Sequence, residues 1–404
     1  MAGGPLAGIK VMDLAWVVAG PVIGRALADF GATVVRVESS RRVETARLMG
    51  PFPEGKTDPQ RSALYDNCNT NKLGLSLDLS KEPARAVARD LAQWADVLIE
   101  SFMPGQMARF GLDYDTLRRS NPSLIMLSTS LMGQTGPLAN LAGYGNIGAA
   151  LSGYQMIVGA ANELPIGPFG PYTDYVGPRF SLVTLLAALD HRRRTGEGCL
   201  IDVSQAEAGI AFLAPQIADY GASGRVARAA GNRDPACAPH GVFRTLGKDA
   251  WVAIAARDDA EWSALATILG VPQLGADPRF RTLDARKANE DELEALLAAW
   301  TAKREPHAVE RELQAAGVPC HVVASSEEFV ADPQLRAQGH LRTMAHPLGG
   351  ESVFEAARYD LSDTPAAYQR SAPYFGRDNE RVLGEFLGYG AERMASLAAC
   401  GALL

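Results

Sequence analysis

The chain of 404 residues has no run of about twenty uncharged apolar residues, so no membrane span is expected. Its opening, MAGGPLAGIKVMDL, lacks a basic region followed by an apolar core, so no signal peptide is expected. Cysteine is sparse: five residues, at 68, 199, 237, 320 and 400, scattered and without paired metal spacing. They read as reduced thiols, and a cytoplasmic setting is the expectation. An excess of positive charge is also missing. The formal net charge of −7 argues against a general nucleic-acid binder and against an anionic membrane surface. A local basic site for a phosphorylated ligand remains compatible with it.

Familiar catalytic signatures are absent too. The six histidines (191, 240, 307, 321, 340 and 346) form no HExxH or other zinc spacing, so no metal is expected. There is no G-x-S-x-G elbow and no Walker A loop. The first turn after a candidate strand reads AGPVIG, around Gly20 and Gly24, rather than G-x-G-x-x-G. Pro21 stands where close backbone approach to a dinucleotide would want glycine. Glu38 ends the second candidate strand, as a ribose-binding acid would, but also as any solvated strand end would.

What is present is a soluble globular composition, 47% hydrophobic and 21% charged, at a length whose prior is two domains. Strand-like runs at 8–14, 32–38, 72–79, 96–100 and 123–130 alternate with helical patterns at 21–30, 80–94 and 113–119. That alternation predicts a parallel, doubly wound sheet. Ligands of such sheets bind beyond the carboxyl ends of the strands, here the loops 16–21, 38–42 and 101–105. Arg36, Arg41, Arg42, Lys72 and Arg109 are cations near those loops, suited to phosphates or to a solvated rim. Residues 132–171 are rich in Gly, Ala and Pro and poor in charge, as in a functional loop or one that wraps another subunit.

The chain is organised around residues 167–207. Asp174 is the lone carboxylate of a Gly/Pro-rich stretch, and a helix is expected to open at Pro178. Phe180, Val183, Leu186, Ala187 and Asp190 map one face of it, Arg192, Arg193 and Arg194 fill its last turn, and Gly196 lies just past. Asp174 then precedes a helix N-terminus, either as a cap or as an ionised nucleophile. Ser204 and Glu207 have capping-box spacing for a helix running towards Tyr220. A linker at 221–240 leads to a smaller α+β domain. It has a hairpin at 241–245 and 251–255, helices at 259–269, 286–303 and 306–316, a strand at 318–323 and a cap at Ser325. Residues 340–365 read as strand-like and irregular, and 380–387 as a last short helix. The expected division is a large domain, 1–220 completed by 340–404, and a small one with its linkers, 221–339.

Seven blocks, in order, resemble the family III CoA-transferases. They are PLAGIKVMDLAWVVAGP, LADFGATVVRVE, NTNKLGLSLDL, ADVLIESFMPGQMARFGLDYDTLRRSNPSLI, the Asp174 loop, AALDHRRRTGEGCLIDVSQAEA and VLGEFLG. WVVAGP, GYGNIGAALSGYQ and GPFGPYTDYVGPRFS look closest to the benzylsuccinate CoA-transferase type. The resemblance implies a Rossmann-like large domain, a smaller α+β domain and an interlocked ring-like dimer, homomeric or with a homologous subunit. It implies no permanently bound cofactor, with coenzyme A as substrate. Donor and acceptor are then an acyl-CoA, succinyl-CoA as the specific guess, and a carboxylic acid such as an aryl- or alkylsuccinate.

By the same resemblance Asp174 is the catalytic aspartate, and Ala19 lies in the loop whose N–H groups hold the oxyanion. Arg36, Lys72 and Arg109 match basic positions near the CoA phosphates and adenine, and Phe102 an aromatic near the nucleotide. Trp16 and Val18 replace the His and Gln of formyl-CoA transferase, which favours a larger, less polar acyl group than oxalate. Tyr144 is expected, with Trp16 and Val18, to bind substrate, and Gly145 replaces an acid. DPACAPHG at 234–241 replaces a glycine-rich lid and gives His240 a possible polar role. Arg179, one turn after Asp174, is positioned to pair with a second substrate carboxylate. Two alternatives share the fold. An acyl-CoA racemase or isomerase needs a His base where this chain reads Gly143-Tyr144-Gly145, and tyrosine's pKa near 10 suits that task poorly. A non-catalytic partner subunit would not need Asp174.

Overall fold

A computed structural model describes residues 3–404. Six short apolar runs form one parallel sheet: β1 (Lys10–Asp13), β2 (Thr33–Glu38), β3 (Leu73–Ser76), β4 (Val97–Glu100), β5 (Ile125–Ser130) and β6 (Leu200–Ser204). Their order is β3-β2-β1-β4-β5-β6. Val11 pairs with Val34 on one side and Val97 on the other, so β1 is central. Successive residues face opposite sides of a strand. Met12, Val35, Leu98 and Met126 therefore pack under the helix Glu82–Trp94, while Val11, Val34, Val97 and Ile125 meet Ile23, Leu27 and Leu185 on the other face. Both faces are covered, which is why the strands read as near-continuous apolar runs. The chain order reverses direction between β1 and β4, and a crevice opens there at the carboxyl ends.

The chain divides into two units. The first holds the residues up to Tyr154, Pro168–Gly224 and Pro333–Leu404; the second holds Gln155–Gly167 and Arg225–Asp332. The second is built on an antiparallel sheet of β7 (His240–Arg244), β8 (Trp251–Ala255) and β9 (Cys320–Val322), with Trp262, Phe280, Leu293 and Leu313 in its core. Ser325 opens the next helix with a complete capping box to Glu328. In the first unit β10 (Leu341–Ala345) and β11 (Glu351–Glu355) form the strand-like part of 340–365 as a hairpin.

Several boundaries differ from expectation. The helix after β1 spans Ala19–Asp29, so Ala19 and Gly20 belong to its first turn. Ser80 does not cap Glu82–Trp94; its hydroxyl bonds Asp78 and Lys81 takes the cap position. Residues 286–303 hold parts of two helices, Leu283–Ala288 and Glu290–Thr301, broken at Asn289. Ser204 caps as expected, but the helix beyond is interrupted at Ala211–Leu213 and ends at Gly224 rather than Gly221. Residues 380–387 fall into a short helix, Asn379–Arg381, and a π turn, Val382–Phe386. A final helix, Ala391–Ala399, was not foreseen.

The difference that matters most is at the central helix. It runs Tyr172–Thr195, with Asp174 in its first turn and Pro178 inside it. Pro178 has no N–H to give the Asp174 carbonyl, so one backbone bond is missing there. The C-terminus matches expectation: three arginines in the last turn, then Gly196 in the left-handed conformation at φ 78°. The apolar face of Phe180, Val183 and Leu186 is exposed, and Ser181 and Leu185 are buried instead. The helix carries apolar residues on two sides, and only the second meets the sheet.

Candidate active site

The helix Gly145–Leu151 packs on the first turn of Tyr172–Thr195 through two glycines one turn apart. A Cβ on Gly145 would lie 2.5 Å from the Pro171 carbonyl and 2.7 Å from the Asp174 nitrogen, and one on Gly148 would collide with the Thr173 hydroxyl. Thr173 Oγ1 donates to the Gly145 carbonyl at 3.1 Å. Only glycine allows this approach, and it buries Asp174 to 4% exposure. Burial pushes the Asp174 carboxyl up to about 6, opposed by a hydrogen bond from the Gly145 N–H.

Asp174 borders a cavity of about 570 Å³ in the crevice beyond β1, β4 and β5. Trp16, Val18, Ala19, Phe102 and Tyr144 line it as well, so six of the eleven residues given a site role by the resemblance meet in one place, joined by Arg42 from the loop cations. Val17, also on the wall, has φ 64°, a left-handed conformation that a β-branched side chain rarely adopts. A second cavity of about 380 Å³ shares Trp16, Arg42 and Phe102 with the first. It lies over the ends of β2 and β3 and is lined by Ser39, Arg41, Asp78, Ser80 and Gln106.

Two expected cation sites are corrected. Arg36 and Lys72 are wholly buried. Arg36 pairs with Glu44, and with Asp13 at 3.3 Å, and donates to the Ala15 carbonyl. Lys72 Nζ donates to Asp13 at 2.6 Å, the Pro21 carbonyl at 2.7 Å and Asn69 at 2.8 Å. Burial lowers the Lys72 ammonium to about 8 against the pull of Asp13. Enclosed and paired with buried acids, these two support the loop 15–21 from beneath rather than facing a phosphate. Arg109 is exposed on the helix Gln106–Phe110 and borders neither cavity. Glu38 accepts from Arg47 and the Tyr65 hydroxyl, so it is not a free ribose ligand.

Arg179 is also corrected. Five residues along a helix turn the side chain about 140° away. Arg179 borders a different, small cavity with Arg25, Tyr175 and Glu355. His240 belongs to β7 of the second unit, where its Nδ1 meets the Asn232 carbonyl beside a cavity of about 470 Å³.

Three residues in or behind the site were not singled out, though Ser101 falls in the loop 101–105 expected to meet ligand. Gln205 and Ser101 line the Asp174 cavity. Glu100, at the end of β4, is buried and pushed up to about 7 by desolvation, with Ser128 and the Phe102 N–H as its hydrogen-bond partners. That N–H lies 2.7 Å from its carboxylate. An acid ending a buried strand, two residues before a site aromatic, was the available signal.

The fold and this crevice define a doubly wound α/β architecture with a buried carboxylate at its switch point. The chain belongs to CoA-transferase family III, whose pattern matches residues 6–379, and it is an enzyme of that family. It is 31% identical over 405 residues to succinyl-CoA–D-citramalate CoA-transferase of Chloroflexus aurantiacus, covering 98% of this chain and 97% of that one. It is 35% identical over 385 residues to succinate–glutarate CoA-transferase of Agrobacterium fabrum, covering 94% and 95%. A crystal structure of a CaiB/BaiF family protein from Brucella suis superimposes with a TM-score of 0.87 at 32% identity, covering 95% and 100%. Among the described residues no helix is long and apolar enough to cross a membrane.

Asp174→Asn tests the burial. An acid raised from 3.8 to about 6 on folding binds its proton more tightly when folded, so its contribution to stability is lost as pH rises from about 4 through 6. The variant should match the parent near pH 4 and exceed it by roughly 3 kcal/mol at pH 7, read by urea unfolding at both pH values. Lys72→Met, which removes the shorter of the two buried ion pairs of Asp13 and leaves only Arg36 at 3.3 Å, should cost about 3 kcal/mol in the same assay. A phosphate-binding lysine would instead leave stability nearly unchanged.

Proposed function

We propose that this enzyme moves CoA from succinyl-CoA to a dicarboxylic acid through covalent intermediates on Asp174. The reading rests on one observation: a carboxylate buried by a glycine contact at the wall of an otherwise largely apolar cavity. The Asp174 oxygen attacks the thioester carbonyl, the C–S bond breaks, and a mixed anhydride and CoA thiolate form. The thiolate attacks the aspartyl carbonyl and expels the donor acid, leaving an aspartyl-CoA thioester. The acceptor carboxylate attacks that thioester, releasing thiolate and forming a second anhydride. Thiolate attack on the acceptor carbonyl yields the product and restores Asp174. Ala19 and Gly20 present N–H groups at a helix start, where Pro21 has none, and these suit the oxyanion. The nucleotide lies in the second cavity, against Arg41 and Ser80, with Phe102 between nucleotide and acyl ends.

Succinyl-CoA as donor follows the name of the Chloroflexus aurantiacus relative, and the name of the Agrobacterium fabrum one pairs succinate with glutarate. A substituted succinate, alkyl or aryl, as acceptor is supported by the apolar wall of Val17, Leu131, Leu141 and Tyr144. The benzylsuccinate type remains part of this proposal on that wall alone. The reading also includes a dimer. Phe180 and Phe212 stack edge-on at 5.9 Å, and with Val183, Ile217 and Tyr220 they leave an exposed apolar face. A second copy of this chain, or a homologous subunit, covers it.

Mass spectrometry with hydroxylamine tests the chemistry: incubation with succinyl-CoA should place a hydroxamate on the Asp174 peptide alone. Label elsewhere, or turnover by Asp174→Asn, would refute it. For the dimer, the parent should sediment as two copies or more, and Phe180→Glu with Val183→Glu as one; a monomeric parent contradicts that part.

A further inference from the structure

A second carboxylate entering the cavity beside Asp174 meets a like charge among largely apolar walls, and that costs energy unless a cation pairs with it. Arg42 is the one Lys or Arg on the wall of that cavity. Its guanidinium lies over the Trp16 ring, 5.2 Å from the centroid. Such stacking fixes the plane of the guanidinium fork and leaves its edge free for a bidentate partner. The buried cations nearby are engaged: Arg36 with Glu44 and Arg47 with Glu38. Arg42 is exposed and has no carboxylate partner among the described residues.

We propose that Arg42 is the specificity-determining cation of the acyl end, pairing with the distal carboxylate of a dicarboxylyl-CoA and of its dicarboxylic acceptor. This rests on the transferase reading given above. Arg42 also borders the second cavity, so the CoA diphosphate is the competing partner. Arg41, which faces that cavity and not the first, is the nucleotide-side cation, and this leaves Arg42 for the acyl end. The assignment moves the reading of the second carboxylate from Arg179, on the far side of its helix, to a loop after β2.

The test compares succinyl-CoA with butyryl-CoA, which differ at the distal end and share the nucleotide. Arg42→Met keeps the stem over Trp16 and removes the charge; Arg42→Lys restores it. The parent, Arg42→Met and Arg42→Lys are each assayed for kcat/KM and for hydroxylamine trapping on Asp174. Arg42→Met should lose about 10- to 100-fold in kcat/KM for succinyl-CoA. Its rate with butyryl-CoA should equal or exceed the parent's, which also shows that the variant is folded. Arg42→Lys should recover part of the loss. Equal losses with both thioesters would put Arg42 on the CoA phosphates and overturn the proposal, as would no loss with either. A parent unlabelled at Asp174 by any thioester would bring down the transferase reading, and this assignment with it.

Discussion

Burial of one carboxylate is the constraint on which the site depends. Asp174 lies in the first turn of a helix, pressed against a second helix whose Gly145 and Gly148 leave no room for a side chain. In that position it has one recorded donor, the Gly145 N–H, and no cation close enough to depress its pKa. The result is a carboxyl near 6, ionised at neutral pH yet poorly solvated. Poor solvation is what a carboxylate nucleophile needs, because water stabilises the ion and would also hydrolyse the anhydride it forms. A basic side chain beside it would relieve the burial and dull the nucleophile. The displacement of Arg179 to the far face is therefore consistent with the chemistry.

The opposite wall depends on charge buried out of sight. The loop 15–21 carries Trp16, the left-handed Val17, Val18 and the helix start at Ala19. Asp13 accepts from the Ala15 N–H, Arg36 takes the Ala15 carbonyl and Lys72 takes the Pro21 carbonyl. Asp13, Arg36 and Lys72 thus hold both ends of a loop in which Val17 is strained. A buried ion network is weak evidence for stability, but it is a strong way to fix one backbone conformation among several.

Much of this was legible in the sequence, for physical reasons. Strands buried on both faces read as near-continuous apolar runs, broken here by paired or hydrogen-bonded charges, so β1 to β5 stood out. Asp174 was visible as a solitary acid between glycines and prolines, and the ordered motifs fixed its role in the resemblance. What was not legible required knowing distant partners. Lys72 and Arg36 look like loop cations because nothing local shows the acids that neutralise them: Asp13 is 59 residues from Lys72, and Glu44 folds back onto Arg36 from beyond the turn after β2. The start of the central helix was misread because Pro178 is a natural first residue, and nothing local shows that the preceding six residues are already helical. Arg179 was misjudged by treating five residues as one turn. On the same helix two apolar stripes compete, and the sequence does not say which one meets the sheet; the exposed one carries Phe180 and Val183.

The crevice is also fixed from the side of β4, through residues that touch no expected ligand. Glu100 accepts the Phe102 N–H, Ser101 Oγ accepts the Trp16 N–H at 2.8 Å, and Gln134 donates its amide to the Phe102 carbonyl at 3.3 Å. Asp202 in turn accepts the Gln134 N–H at 3.0 Å. The loops leaving β1, β4 and β5 are thereby joined to one another at the aromatic pair Trp16 and Phe102, whose rings meet edge-on at 6.1 Å. That pair stands on the wall common to the two cavities. A thioester held there must keep its carbonyl within reach of Asp174 through four successive bond exchanges, and free loops could not hold that geometry. The site is therefore better described as three strand ends tied into one rigid partition, with the reactive carboxylate delivered to it by a helix from the other side.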